Sequence, residues 1–436
     1  MPNDVVTILI TANSPGEVAG WVRPAVAALK ALPLESTIKV FIPPCPFASG
    51  AERRVVEAIP GVDAVIGPGS FMAYLFLGIS PKGFSPTGRG IVLFLGGDLA
   101  YAALLARRLG YPAVAYTEGR AAWIETFALF AVAYPEMAEK KAFQRVPAEK
   151  IAIVGNLMVD AVRPESTRME TRGRLGVEDD RPLLLLMPGS RPAHVEYMVP
   201  FFLRVVEILR RGRCGFTPVL SLSPFVSEDH LAAALAGEAA LRFGVTAAYS
   251  PGALRDDGKT DWERPGLIRA GGDLLIPVFR GRQYDLMAGA DLALSLPGTN
   301  TVELSSLGVP MVVVLPLGHP EAIPLEGLAG LVGGIPFLGK ALKCRLLAGI
   351  SAKFPFAAWP NRLAGREIVP ELKGEIAPED VSAVTASLLA APERRKEISA
   401  RLREIVGGPG ASERLAAAVL RVLRAHYGED ILNSGE

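Results

Sequence analysis

Short, nearly uninterrupted apolar runs recur along this chain, each followed by a Gly- or Pro-rich break and a helical pattern. That recurrence constrains the fold more than any other feature. In the first half the runs fall at residues 5–11, 39–42, 64–66, 91–95, 113–116 and 129–133, closed by 151–154. In the second half they fall at 183–187, 217–222, 274–278, 292–296 and 311–315. Strands that are apolar on both faces and alternate with helices predict parallel sheets covered on both sides. With 436 residues there is enough chain for two such units, each with its own core. The expected fold class is therefore α/β, two doubly wound, Rossmann-like parallel sheets facing across a cleft, with ligands at the carboxyl ends of the strands. The expected boundaries are 1–165 for an acceptor-side domain, 166–377 for a nucleotide-side domain and 378–436 for a helical tail. Residues 250–272, rich in Gly, Asp and Arg, read as a surface excursion.

Composition narrows the function classes. Forty-six basic against 45 acidic residues leave a net charge of +1, so no basic excess points to nucleic acid as a partner. Three scattered Cys and four His argue against a disulfide framework or a zinc site, and fit a reducing compartment. The first strand begins at residue 5 without a basic leader, and no uncharged apolar run approaches the roughly 18 residues needed to cross a bilayer. A cytoplasmic protein, free or peripheral on the inner face of the membrane, is expected.

Five stretches could carry chemistry. The run 183–187 breaks at Pro188-Gly189-Ser190-Arg191, and a helix follows in which Val195, Met198, Val199, Phe202, Val205, Val206 and Leu209 recur at helical spacing. Such a junction aims free N–H groups and the positive helix end at one point, a seat for phosphate, and Arg191 adds a fork of donors. An ordinary turn with Ser190 as N-cap is the competing reading. A second turn, Gly298-Thr299-Asn300-Thr301, follows the run 292–296; small residues and hydroxyls there can hold phosphate, and Glu303 can accept ribose hydroxyls. Its competitor is a capping box from Asn300 to Glu303. In the first half, Gly16 and Glu17 follow the first strand in a G-x-x-x-G spacing that is not the dinucleotide fingerprint. Asp98 ends the run 91–97 and opens a helix at 99–109. A carboxylate there can take a proton from a hydroxyl or cap the helix, and both roles coexist only if one oxygen stays free. Asn361, Arg366 and Glu367 follow an aromatic, Pro-rich stretch and suit either a pocket-lining loop or a solvated surface. Two apolar segments, 71–79 and the Lys/Arg-interleaved 335–359, suit an anionic lipid surface or core helices with snorkelling Lys.

In order, Gly16-Glu17, Gly97-Asp98, Val154-Gly155-Asn156 with Asp160, Pro188-Gly189-Ser190-Arg191, Gly298-Thr299 with Glu303, and Asn361 through Glu371 resemble the lipid-A-disaccharide synthase family. That resemblance implies a GT-B glycosyltransferase. It would move an acylated glucosamine from a UDP donor to the hydroxyl of a glucosamine-phosphate lipid acceptor, with inversion, without metal or cofactor, releasing UDP. It implies Asp98 as general base, Arg191 as an essential arginine near the nucleotide, and Gly189, Ser190, Gly298, Thr299 and Glu303 as nucleotide-binding. It also implies membrane and acyl-chain contacts, and a homodimer exchanging C-terminal segments. The sequence departs from the family where Ala19 and Trp21 stand for Ser and Asp, where Tyr101 and Ala103 follow Asp98, and at Thr117 to Trp123. A UDP-sugar 2-epimerase, a glycosyltransferase with another saccharide or lipid acceptor, and a catalytically silent UDP-sugar- or lipid-binding protein on this scaffold are the rivals. A nicotinamide enzyme is disfavoured, since neither half carries G-x-G-x-x-G after its first strand.

Overall fold

The computed structural model describes residues 5–44, 52–316 and 355–432. They form two compact units, one of residues 1–161 with 407–436 and one of residues 162–406.

The first unit carries seven strands, β1 Val6–Thr11, β2 Ser36–Phe41, β3 Ala64–Ile66, β4 Gly90–Phe94, β5 Ala113–Thr117, β6 Phe127–Val132 and β7 Ile151–Ile153. Their order is β3-β2-β1-β4-β5-β6-β7, and every pairing is parallel. Every residue of β1, β4 and β5 is buried, as apolar strands covered by helices on both faces require. The order reverses between β1 and β4, where two loops leave neighbouring strands at the same carboxyl edge.

The second unit carries eight strands, β8 Leu183–Met187, β9 Thr217–Leu222, β10 Ala247–Ser250, β11 Gly266–Ala270, β12 Leu274–Arg280, β13 Leu292–Ser295, β14 Met311–Pro316 and β15 Glu371–Gly374. The order is β10-β11-β12-β9-β8-β13-β14-β15. From β12 to β15 the pairings are parallel and follow the strand order of the first unit, with the reversal now between β8 and β13. The core is formed by Leu183–Leu186 of β8, the buried stripe of helix Pro192–Arg211 and the apolar residues of β13 and β14.

Three expectations need correction. Residues 250–272 are not wholly a surface excursion: β10 and β11 extend the sheet as an antiparallel edge against β12. The signal was hidden because only alternate residues of β11 face the core, with Arg269 turned outward. β15 was also missed, four half-buried residues that begin at Glu371, where the last motif ends. The segment 378–436 is not one tail. Helices Pro378–Leu389 and Pro392–Val406 belong to the second unit, while helix Ala411–Tyr427 belongs to the first.

The last attachment is chemical. The buried carboxylate of Asp160 accepts hydrogen bonds from Gly410 N at 2.7 Å, Ser412 N at 2.6 Å and Ser412 Oγ at 2.7 Å, capping the start of the C-terminal helix. Arg414 Nε donates to Val154 O at 2.7 Å, and at the far end Tyr427 Oη donates to Gly90 O at 3.0 Å. No described helix is long and apolar enough to cross a membrane.

Candidate active site

The residues expected on the nucleotide side gather where the strand order of the second unit reverses. β8 and β13 pair in register, Met187 opposite Ser295, so the turns that follow leave the sheet side by side at one edge. In the first turn Gly189 sits at φ +104, a backbone conformation that side chains resist. The helix begins at Pro192, and its N-cap is Arg191, not Ser190, with no side chain capping the first turn. Pro at this position lacks an N–H and so suits a helix start. In the second turn Gly298 is the N-cap of helix Thr299–Ser306 at φ +146, again without a side-chain cap. Thr301 Oγ1 donates to Gly298 O at 2.7 Å and accepts from Trp359 N at 3.3 Å, fixing the turn against the next loop.

Glu303 forms no capping box with Asn300. It is buried, 6 % exposed, and accepts a hydrogen bond from Tyr284 Oη at 3.3 Å through Oε1. Burial raises its pKa to about 7, and the Tyr284 bond lowers it only in part. The neutral form therefore suits the fold, while the unfolded chain prefers the ionised form above about pH 4.5. Stability from this group is full below pH 4.5 and is lost as pH rises through 7, by about 3 kcal/mol. Glu303→Gln is expected to flatten that fall, which urea denaturation of the second unit at pH 5 and pH 8 would measure.

Of the residues expected on the acceptor side, Gly16, Glu17 and Asp98 gather at the corresponding reversal in the first unit. Asp98 is exposed at the N-cap of helix Leu99–Leu109, and its Oδ1 accepts from Ala100 N at 2.9 Å. The carboxylate thus caps with one oxygen and offers the other outward. Glu17 Oε2 accepts from Asn13 N at 3.2 Å and Ser14 N at 3.1 Å, while Oε1 accepts from Gly97 N at 3.4 Å. Glu17 therefore ties the loop after β1, with Gly16, to the loop that carries Asp98. A side chain at Gly96 would collide with that carboxylate. Trp21, at a departure from the family pattern, is buried and meets Tyr116 edge-on at 5.3 Å.

Asn361, Arg366 and Glu367 need a different account. Asn361 is fully buried; its Oδ1 accepts from Ile368 N at 2.7 Å and Val369 N at 3.0 Å, and its Nδ2 donates to Val369 O at 2.9 Å. Glu371 in turn accepts from Ala357 N at 2.6 Å and Ala358 N at 2.9 Å. This part of the motif is a polar knot that shapes the loop before β15, not a pocket lining, and Arg366 and Glu367 are exposed. Asn361→Ala is expected to destabilise the second unit by about 2–3 kcal/mol, because it strands buried donors and acceptors. Arg366→Ala should stay within about 0.5 kcal/mol. Chemical denaturation of both variants checks the contrast.

The segment 71–79 divides between the two readings given to it. Phe71, Tyr74 and Leu75 are buried, whereas Phe76, Leu77 and Ile79 are 61 %, 73 % and 60 % exposed. Most of segment 335–359 lies outside the described residues.

Two sheets of this order, each with Gly turns at the reversal point, define a GT-B type pair of Rossmann-like units. Solved structures agree on the fold. UDP-GlcNAc 2-epimerase from Neisseria meningitidis bound to UDP-GlcNAc superposes with a TM-score of 0.56 at 14% identity, covering 95% of this chain and 100% of that one. The S. aureus MnaA-UDP co-structure does so with a TM-score of 0.54 at 13% identity, covering 96% and 97%. Residues 114–240 match the lipid-A-disaccharide synthetase family model, a stretch that includes both Asp160 and the Gly189–Arg191 turn. The chain is 28% identical to lipid-A-disaccharide synthase of Syntrophus aciditrophicus over 278 residues, 63% of this chain and 58% of that protein. It is 27% identical to that of Trichlorobacter lovleyi over 277 residues, 63% and 57%. Over the matched region the chain is similar to the lipid-A-disaccharide synthases, and that region spans somewhat over half the length of those relatives.

Proposed function

We propose that this protein is a glycosyltransferase that moves an acylated glucosamine from a UDP donor to the hydroxyl of a glucosamine-phosphate lipid, with inversion and without a metal. The observation that carries the reading is the pair of uncapped helix starts, at Arg191 and Gly298, on adjacent strands of one Rossmann-like sheet. Two positive helix ends there, neither of them capped by its N-cap side chain, suit a diphosphate. The relatives' name supplies the lipid A class of substrate. Asp98, through its uncapped oxygen, takes the proton of the acceptor hydroxyl as that oxygen bonds to the anomeric carbon. The bond from that carbon to the diphosphate breaks on the opposite face through an oxocarbenium-like state. Charge growing on the departing UDP meets Arg191 and the two helix ends, a preorganised electrostatic contribution. The exposed Phe76, Leu77 and Ile79, close in sequence to Lys82 and Arg89, suit a membrane surface on which such a lipid acceptor resides.

Incubation with UDP-N-acetylglucosamine and with a UDP-diacylglucosamine plus diacylglucosamine 1-phosphate, read by mass spectrometry, tests this reading. Free UDP with a disaccharide lipid supports it. An isomeric UDP-sugar indicates an epimerase instead, and binding without turnover indicates a silent binder.

A further inference from the structure

Against the Gly189 turn sits a side chain that the sequence patterns did not single out. His194 is the third residue of helix Pro192–Arg211 and only 4 % exposed. A Cβ added at Gly189 would lie 2.7 Å from His194 Nδ1 and 3.0 Å from Leu296 Cδ1. The imidazole is therefore packed against the Gly189 turn, which also meets Leu296, the residue that leads toward the Gly298 turn. Neither ring nitrogen has a hydrogen-bond partner among the described residues, and neither is sealed from the surrounding space. A core imidazole ordinarily satisfies its nitrogens on a carbonyl or carboxylate, because burying them unpaired is costly. Here the nitrogens instead stay open to what occupies the space beside the Gly189 turn.

We propose that His194 is a further ligand of this anion seat, one that takes up a proton as a diphosphate arrives. The inference rests on the reading of the seat as the diphosphate site of a nucleotide sugar, and adds how that site changes charge. Without ligand, burial and the adjacent Arg191 guanidinium hold the ring neutral, with a pKa lowered to about 4. Among charged groups on the packed elements, Arg191 is the one that acts on it; Glu303 of the neighbouring turn and Glu196 on the same helix do not offset its push. The positive helix end works in the same direction. An arriving diphosphate reverses the balance, since its charge cancels the push from Arg191 and favours the imidazolium. The proton comes from solvent, and the ring N–H it creates donates to a phosphate oxygen.

Calorimetry on the full chain tests this with UDP and, separately, inorganic pyrophosphate, at pH 6.5 in buffers of different ionisation enthalpy. The wild type is expected to take up several tenths of a proton more than His194→Gln, and to bind roughly 5- to 10-fold more tightly. The affinity gap should shrink several-fold by pH 8.5, where the ring no longer protonates. Phosphate protons of the ligand and the Glu303 carboxyl contribute to both proteins, so the difference isolates His194. Nitrogen-15 NMR of the wild-type ring gives a readout that does not depend on the variant folding: its signal should move from the neutral to the protonated pattern with either ligand. If UDP binds with equal proton uptake in both proteins and the ring stays neutral, the inference falls while the nucleotide reading stands. If pyrophosphate protonates His194 but UDP does not bind, the nucleotide reading falls and the anion ligand remains. If neither binds, both fall.

Discussion

Replacing Asp160 by alanine is expected to release the start of the C-terminal helix and to lower the stability of the first unit by about 3–5 kcal/mol. Its carboxylate meets three donors at 2.6–2.7 Å in a buried setting, so the substitution leaves two backbone N–H groups and a hydroxyl unpaired. For a unit of this size the thermal midpoint should fall by roughly 10 °C. Asp160→Asn keeps one acceptor but turns an NH₂ toward the donors, and should cost about half as much. Hydrogen exchange distinguishes this local role from general damage. Protection should be lost along Ala411–Tyr427 while the Pro192–Arg211 helix in the other unit keeps its own. Unchanged exchange in the C-terminal helix would remove Asp160 from this role.

Arg191→Ala should reduce turnover at least as much as Asp98→Ala, each by about 10²-fold or more. The reasoning is electrostatic. A general base assists one proton, whereas the guanidinium and the uncapped helix ends face the larger charge that grows on the departing diphosphate. The two variants should also differ in kind. Arg191→Ala weakens UDP binding, since the seat loses its fork of donors. Asp98→Ala leaves UDP affinity intact, since Asp98 lies in the other unit. Steady-state rates of UDP release, with UDP affinity by calorimetry, separate them. Equal turnover by wild type and both variants would dispose of both assignments.

Much of this architecture was legible in the sequence because parallel strands buried on both faces announce themselves as apolar runs. β3 at Ala64–Ile66 and β8 at Leu183–Met187 lie where the pattern placed them, and helix Leu99–Leu109 starts immediately after Asp98. Half-buried strands gave weaker signals: β11 alternates, and β15 is four residues of mixed polarity. The turns at Gly189 and Gly298 were readable from glycine and hydroxyl content, but the competing caps were not. Whether Ser190 or Asn300 bonds to the first turn depends on the backbone angle at the helix entry, which no residue pattern reveals. Asn361 shows the opposite failure. Its polar neighbours suited either a pocket-lining loop or a solvated surface, whereas the structure spends its amide on the backbone of residues 368 and 369. His194 went unremarked because a lone imidazole within an apolar stripe reads as core. The signal lay in its place, one turn beyond Arg191 at a helix start.

The C-terminal helix has a consequence for how the protein is made. Asp160 and its partner Gly410 stand 250 positions apart. Domains usually mature in the order in which the ribosome delivers them, N-terminal first. Here the first unit waits for a helix whose start lies 250 positions after Asp160, whereas the second unit lies within residues 162–406 and is complete before that helix emerges. During synthesis the first unit therefore stays unsealed where helix Ala411–Tyr427 packs until that helix has been made.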